Sequence, residues 1–363
     1  MPWTSNEQFY VARWWSFFFD HCTASNVSFK VLNGTVFGSI TIMHSWKNRE
    51  EIFERLDKSQ DINRKYFSMY SSWFGGFTDD PLMMMVPIDD HMVHRGDGVF
   101  EAFRYSYGAI FDFEGHWARL QRSAEMIKLE LPVNRSELIE ICKELIRPHK
   151  EEDIIIRLYV SRGPGSFTPD PFQTVGSQIY VVATPMGLLK EEWLRNGVTA
   201  HTSIVPTKPE PFCTIKSCNY LPNVMMKFEA KQKNVDFSIS MTSDGHIAEG
   251  ATENLFIVDD KNMLKVPNLN YILRGTTLIH TLDLADRLVA SGEISGAVFT
   301  DISREDILSA KEVGMVGTTL SVVSVVQFDG AKISDGKPGM VIPALRALLI
   351  DSMKSNADMR MEV

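Results

Sequence analysis

From residue 197 onward the chain reads as one short β-branched or aromatic run after another: "GVTAHTSIV", "DFSISMT", "NLFIV" and "GAVFTDI", with turn residues between them. Runs of this length are strands rather than core helices, and many in succession predict a barrel-like domain. Helical patterns interrupt them at about 221–233 and 277–290, and "PALRALLIDSMKS" gives a further helix.

The stretch before it has another rhythm. "KYFSMYSSWFGGFT" reads as strand, Gly-Gly turn, strand, and "HRGDGVFEAFRYSYGAIFDF" as a helical turn followed by a hairpin. In "EGHWARLQRSAEMIKLEL", Trp117, Leu120, Ala124, Ile127 and Leu131 recur at mostly helical spacing, which predicts a helix stopped by Pro132. "SELIEICKELIRPH" is a second amphipathic helix; "DIIIRLYVSRG" and "SQIYVVATP" are strands. Together these patterns predict an α+β chain: an extension over 1–60, a smaller α/β domain over 61–185, a linker over 186–196 and a larger domain over 197–355. Within the extension, an aromatic-rich helix is expected around 6–20 and a charged one around 47–60, where Ile52, Phe53 and Leu56 form one apolar stripe. The aromatics read as a cap on a neighbouring surface or a subunit contact.

A chain of 363 residues is long enough for two domains, and its net charge of −9 argues against nucleic acid and against a basic membrane-binding face. The four cysteines form no CxxC pair and the histidines are scattered, so no metal is expected and the thiols read as reduced. The opening "MPWTSNEQFYVARWWSFFFDHC" lacks the basic and aliphatic regions of a signal peptide, and no run reaches the roughly 20 apolar residues of a membrane span. The expectation is a cytoplasmic enzyme acting on small molecules.

Three features carry chemistry. Lys216, in "FCTIKSCNYLPNVMM", follows a β-branched pair that reads as a strand and precedes a helix with Asn219 as its cap and Pro222 in its first turn. A lysine between two layers is desolvated, which lowers its pKa as a Schiff-base amine requires; taken alone, it reads rather as a charge snorkelling to water. In "TSDGHIAEGATENLFIV" an Asp-Gly hairpin leads Glu249 into a run of small residues, where its carboxylate suits a ring nitrogen or is simply a solvated acid. Gly275, Thr276 and Thr277 precede a helix, and Gly317, Thr318 and Thr319 form a second such cluster; each suits a phosphate or is an ordinary turn. Arg119 is the candidate counter-charge. There is no GxxxxGK[ST], GxGxxG after a strand, HExxH or GxSxG.

"HRGDGVFEAFR", "HWARLQRSA", "IKSCNYLPN", "IAEGATENLF" and "LRGTT" follow one another as in the class IV, or fold-type IV, pyridoxal-phosphate aminotransferases, which the chain resembles over about 66–350. That family includes branched-chain aminotransferases, D-amino-acid aminotransferases and aminodeoxychorismate lyases; "MYSSWFGGFTDDP" and "PIDDHMVHRGDGVF" are most similar to a plant-type D-amino-acid subgroup. The resemblance implies pyridoxal 5'-phosphate as cofactor, Lys216 as the Schiff-base lysine and proton carrier, Glu249 at the pyridine nitrogen, and Tyr220 on the phenolic oxygen. It implies a phosphate cup of Arg119, Thr276, Thr277, Gly317 and Thr318, a substrate side of Phe100, Arg104, Arg157 and Thr319, and a homodimer. Arg157 reads equally as a structural strand residue.

Two departures stand out. Leu278 replaces the family's common arginine, and "RGPGSFTPDPF" lacks, after Arg162, the Arg and His with which bacterial D-amino-acid enzymes hold the substrate carboxylate. The expected reaction is transfer of an amino group between an amino acid, branched-chain L- or D-, and a 2-oxo acid. The alternatives are pyruvate release from aminodeoxychorismate and an idle cofactor-binding protein.

Overall fold

The computed structural model describes residues 27–32, 35–40, 46–58 and 65–363, the first two stretches as backbone only. The chain divides into two units, Met1–Ser59 and Gln60–Val363. In the first, strands β1 (Val27–Leu32) and β2 (Thr35–Ile40) pair antiparallel, and a helix, α1 (Arg49–Lys58), follows. Asn48 opens α1 with a reciprocal cap: its Oδ1 accepts from the Glu51 N–H and the Glu51 carboxylate accepts from its own N–H, both at 2.9 Å. The helix expected around 6–20 lies outside the described residues.

In the second unit, β3 (Ser68–Ser71), β4 (Gly76–Thr78), α2 (His91–Arg95), β5 (Gly98–Ser106), β6 (Ala109–Phe111), α3 (Phe113–Met126), α4 (Arg135–Ile146), β7 (Ile154–Ser161) and β8 (Gln178–Pro185) come first. The strands belong to an antiparallel sheet in the order β18-β6-β5-β7-β8-β3-β4. Its last member, β18 (Arg360–Glu362), returns from the far end of the described chain to pair with β6, a contact nothing in the local pattern announces. Alternation sends Val99, Phe103, Ile154, Ile156, Leu158 and Val160 to one face, where they pack on Leu120, Leu138 and Leu145 of α3 and α4. Phe100, Arg104, Arg157 and Tyr159 stand on the other face, with Phe100 opposite Tyr159.

Helix α3 stops at Met126, short of the Pro132 that the apolar spacing pointed to. Lys128 turns left-handed (φ 54°), the Leu129 N–H donates to Ala124 O and the Lys128 N–H to Glu125 O. These two bonds satisfy the last carbonyls of the helix, so Ile127 and Leu131 pack as part of the turn that follows.

The remaining elements are α5 (Glu191–Asn196), β9 (Val198–Thr202), α6 (Leu221–Gln232), β10 (Phe237–Met241), β11 (Ile247–Gly250), β12 (Asn254–Val258), β13 (Met263–Pro267), α7 (Thr276–Ala290), β14 (Gly296–Thr300), α8 (Arg304–Ser309), β15 (Glu312–Gly317), β16 (Ser321–Phe328), β17 (Ala331–Lys332) and α9 (Val341–Ser355). Strands β9, β10, β11, β12, β15 and β16 pair in a closed ring, a six-stranded barrel, with β13, β14 and β17 added outside it. Val198, Phe237, Leu255, Ile257, Met315 and Val323 fill its interior, while Phe256, Val258, Val316 and Val322 face outward against α7 and α9. The 186–196 stretch contains α5, whose Trp193 packs on the barrel and donates its indole N–H to Asp236 at 3.1 Å. At the start of α9 the Glu312 carboxylate accepts from three backbone N–H groups, of Met340, Val341 and Ile342, at 2.9–3.0 Å.

Ile156 is fully buried at the centre of the first sheet. Ile156→Ala is expected to lower unfolding free energy by about 2–5 kcal/mol, read as a lower denaturant midpoint at unchanged slope.

Candidate active site

Lys216 lies where the second part of the unit touches the first. The expected strand before it is a 3-10 turn instead, Phe212–Thr214. Pro209 and Pro211 precede this turn, Pro211 at its cap position, and neither can donate to a ladder. Past the turn the backbone extends along β5: the Phe100 N–H donates to Lys216 O and the Cys218 N–H to Gly98 O, each at 2.9 Å. The Lys216 N–H donates to Ser123 Oγ of α3 at 3.2 Å. Helix α6 then begins with Pro222 in its first turn and Tyr220, not Asn219, at the cap position. Asn219 donates its amide to Gly96 O at 3.0 Å, reaching across to the end of α2. Gly96 has φ 66°, and a Cβ there would lie 2.5 Å from Asn219 Oδ1, so only glycine permits this approach.

Lys216, Tyr220 and Glu249 line one cleft, together with Lys208, Asn223 and Glu253. Burial, then the nearby Arg119 charge, pushes the Lys216 amine down to about 8. Burial pushes Glu249 up to about 7, against the opposing effects of the Leu273 N–H and of Lys208 and Lys216. Its Oε2 accepts from Leu273 N at 3.0 Å and from Asn254 Nδ2 at 3.1 Å. The Tyr220 hydroxyl is raised by burial and by the neighbouring Glu249 and Glu253. Phe100 completes this group: Lys216 Nζ stands 4.5 Å from its ring centre, and Tyr220 meets it edge-on at 5.1 Å.

Arg119 is buried on α3, and its partners were not foreseen from the sequence. Glu101, fully buried on β5, accepts from Arg119 Nε and Nη2, both at 2.7 Å, and from His116 Nδ1 at 2.7 Å. The other ring nitrogen of His116 lies 3.2 Å from Thr276 Oγ1, and Arg119 Nη1 donates to Arg274 O at 3.2 Å. Burial alone would raise Glu101, but the charge and hydrogen bonds of Arg119, then of His116, outweigh it and hold the carboxyl well below the usual range. The available signal was a charged residue at a core-facing position of a strand, Glu101 between Phe100 and Ala102, with His116 one helical turn before Arg119.

Thr276 and Thr277 form the first turn of α7 rather than the residues before it, with Gly275 at the cap and no side chain capping it. The N–H groups of that turn, uncapped among the described residues, are open to an anion beside the Thr276 hydroxyl. A Cβ on Gly275 would fall 2.1 Å from Asn254 Oδ1, which ties this turn to the residue that also holds Glu249. Gly317 is the last residue of β15, and Thr318, Thr319 and Leu320 form the turn to β16; Thr319 is exposed. Arg104 reaches that turn, donating to Ser321 Oγ at 3.0 Å, and Arg157 donates to Thr184 Oγ1 at 2.8 Å. Neither arginine lines the cleft around Lys216; both stand on the sheet face that carries Phe100.

The donor set fits a phosphorylated pyridine aldehyde: an amine of lowered basicity, a carboxylate across from it, and a buried guanidinium beside a free helix terminus. Among the described residues, Asn223 Oδ1 is buried without a hydrogen-bond partner on the wall of this cleft, an acceptor left for something bound there.

A family model described as amino-transferase class IV matches residues 98–328. The chain is 36% identical over 308 residues to a chloroplastic D-amino-acid transaminase of Arabidopsis thaliana, covering 84% of this chain and 81% of that protein. Its fold is similar to the branched-chain amino acid aminotransferase of Escherichia coli (TM-score 0.71, 26% identity, 78% of this chain and 93% of that one). It is also similar in fold to the branched-chain amino acid aminotransferase of Thermobaculum terrenum, solved in its PLP-form (TM-score 0.70, 19% identity, 82% and 98%).

Glu101→Gln leaves Arg119 as a buried cation without its carboxylate and is expected to cost about 3–5 kcal/mol of stability in denaturant unfolding. Because the Glu101 carboxyl is depressed, its contribution is present above the unfolded value of about 4.3 and fades as pH falls further. The destabilisation by Glu101→Gln therefore shrinks in strong acid. Glu249 has the opposite sign: in cofactor-free protein its ionisation costs stability from about 4.3 upward, in full above about 7. Cofactor-free Glu249→Gln is expected to gain on the order of 1 kcal/mol on wild type at pH 8 relative to pH 5, read from melting curves.

Proposed function

The chain belongs to the class IV aminotransferases, a pyridoxal-phosphate-dependent family, and we propose that Lys216 is the residue that bonds the cofactor while an amino group passes between an amino acid and a 2-oxo acid. The observation that carries this is the placement of Lys216 and Glu249 on one cleft, each with its ionisation displaced toward neutrality by burial. Bound pyridoxal phosphate supplies the electron sink that makes the substrate Cα acidic. Lys216, released when substrate binds, is then an amine basic enough to take the proton from Cα and return it. Glu249 would hold a proton at the pyridine nitrogen; both hydrogen bonds to its carboxylate fall on Oε2, so Oε1 is left without one among the described residues. The Tyr220 hydroxyl would donate to the phenolic oxygen. Arg119, fixed by Glu101, would hold the phosphate with Thr276, Thr277, Gly317 and Thr318.

On the substrate side we place Phe100, Arg104, Arg157 and Thr319. The favoured donor is a D-amino acid, supported by the D-amino-acid transaminase similarity; L-leucine and aminodeoxychorismate are the competing substrates. Leu221, Val224, Met225 and Phe228 form an exposed apolar stripe at 3–4 spacing on α6, which supports a homodimer. The cytoplasmic location read from the sequence is part of the same proposal, although the Arabidopsis thaliana relative is named chloroplastic; a C-terminal fluorescent fusion distinguishes the two.

Borohydride reduction of the yellow protein is expected to leave the pyridoxyl label on the Lys216 peptide, and Lys216→Ala to remove it; a label elsewhere overturns the assignment. Single-turnover half-reactions should run fastest with D-alanine, and a faster L-leucine or aminodeoxychorismate reaction reverses that choice. Val224→Glu is expected to halve the mass in sedimentation if the α6 stripe is the dimer contact.

A further inference from the structure

Lys216 Nζ makes no hydrogen bond and no ion pair among the described residues; it stands over the Phe100 ring, 4.5 Å from its centre. Four charged side chains act on it. Arg119 and Lys208 repel the ammonium, while Glu101 and Glu249 attract it. Glu101 is already committed to Arg119 and His116, and the hydrogen bonds of Glu249 go to Leu273 and Asn254. The aromatic face is thus what the ammonium meets directly.

The ring is held in place from several sides. Tyr159 stacks on it with centres 6.0 Å apart and planes 22° apart, and Tyr220 meets it edge-on at 87°. The Phe100 N–H donates to Lys216 O at 2.9 Å, so backbone and side chain of one residue both grip the lysine. A ring quadrupole stabilises an ammonium that has lost its water, yet it neither accepts the proton nor fixes the nitrogen as a carboxylate would.

We propose that Phe100 is a positioning residue for Lys216: its ring is the resting place of the ammonium whenever the amine is not bonded to the cofactor, and sets how readily the amine releases its proton. The proposal rests on the reading of Lys216 as the cofactor lysine, and adds a role to Phe100 beyond lining the substrate side.

The test is the pH dependence of Lys216 acylation by acetic anhydride in cofactor-free full-length protein, quantified on the Lys216 peptide by mass spectrometry. Phe100→Leu is expected to lower the titration midpoint by roughly one unit, as loss of a desolvated cation–π contact predicts. Phe100→Tyr and Phe100→Trp should keep the midpoint at or above wild type. Pentafluorophenylalanine at position 100, which keeps the ring's shape and reverses its quadrupole, should lower it, and serves if Phe100→Leu does not fold. An unmoved midpoint in Phe100→Leu or in the fluorinated protein overturns the proposal, and so does an equal shift in Phe100→Leu and Phe100→Tyr, which would indicate packing alone. Because no cofactor is present, this outcome is independent of where borohydride places the label.

Discussion

A single buried carboxylate organises the active centre. Glu101 takes two hydrogen bonds from Arg119 and one from His116, and through them joins β5, α3 and the start of α7. Carboxylates are rarely buried this deeply, because desolvation costs several kcal/mol per ion unless the geometry and hydrogen bonding are close to complete. Here they are, and the effect is to fix a guanidinium beside a helix terminus. Remove the carboxylate and the same arginine becomes an uncompensated charge in the interior.

Around that carboxylate, burial works in the opposite direction on the two groups proposed to carry the chemistry. Lys216 and Glu249 lack such complete partners, and both are displaced toward their neutral forms, to about 8 and about 7. The protein therefore treats its charged residues in two ways: Arg119 and Glu101, behind the cleft, are locked as ions, while Lys216 and Glu249, on its lining, are left near the point at which a proton can move. Destabilised groups of this kind cost the cofactor-free protein something, and the surrounding sheet and barrel cores supply the stability that tolerates them.

Much of the architecture was legible in local pattern. Period-two runs gave the strands of both sheets, and the ring closed by β9, β10, β11, β12, β15 and β16 realises the barrel expected from many short strands. Local pattern failed where backbone chemistry overrode it. Proline spacing turned the stretch before Lys216 into a 3-10 turn, and a left-handed Lys128 ended α3 early despite continuing apolar spacing. The pairing of β18 with β6 joins residues far apart in sequence, which no local signal encodes.

By itself the sequence determined the residue types available for chemistry: one lysine before a helix, one acid in a run of small residues, an arginine on an amphipathic helix and two Gly-Thr-Thr turns. Those follow from side-chain chemistry and local spacing, which are properties of short segments. Only the tertiary structure decided which of them meet. It placed Phe100 beneath Lys216, gave Arg119 to Glu101, and left Arg104 and Arg157 off the lining of the Lys216 cleft although they share a sheet face with Phe100. Desolvation and charge pairing depend on what surrounds a group in space, and those neighbours come from segments that are distant along the chain.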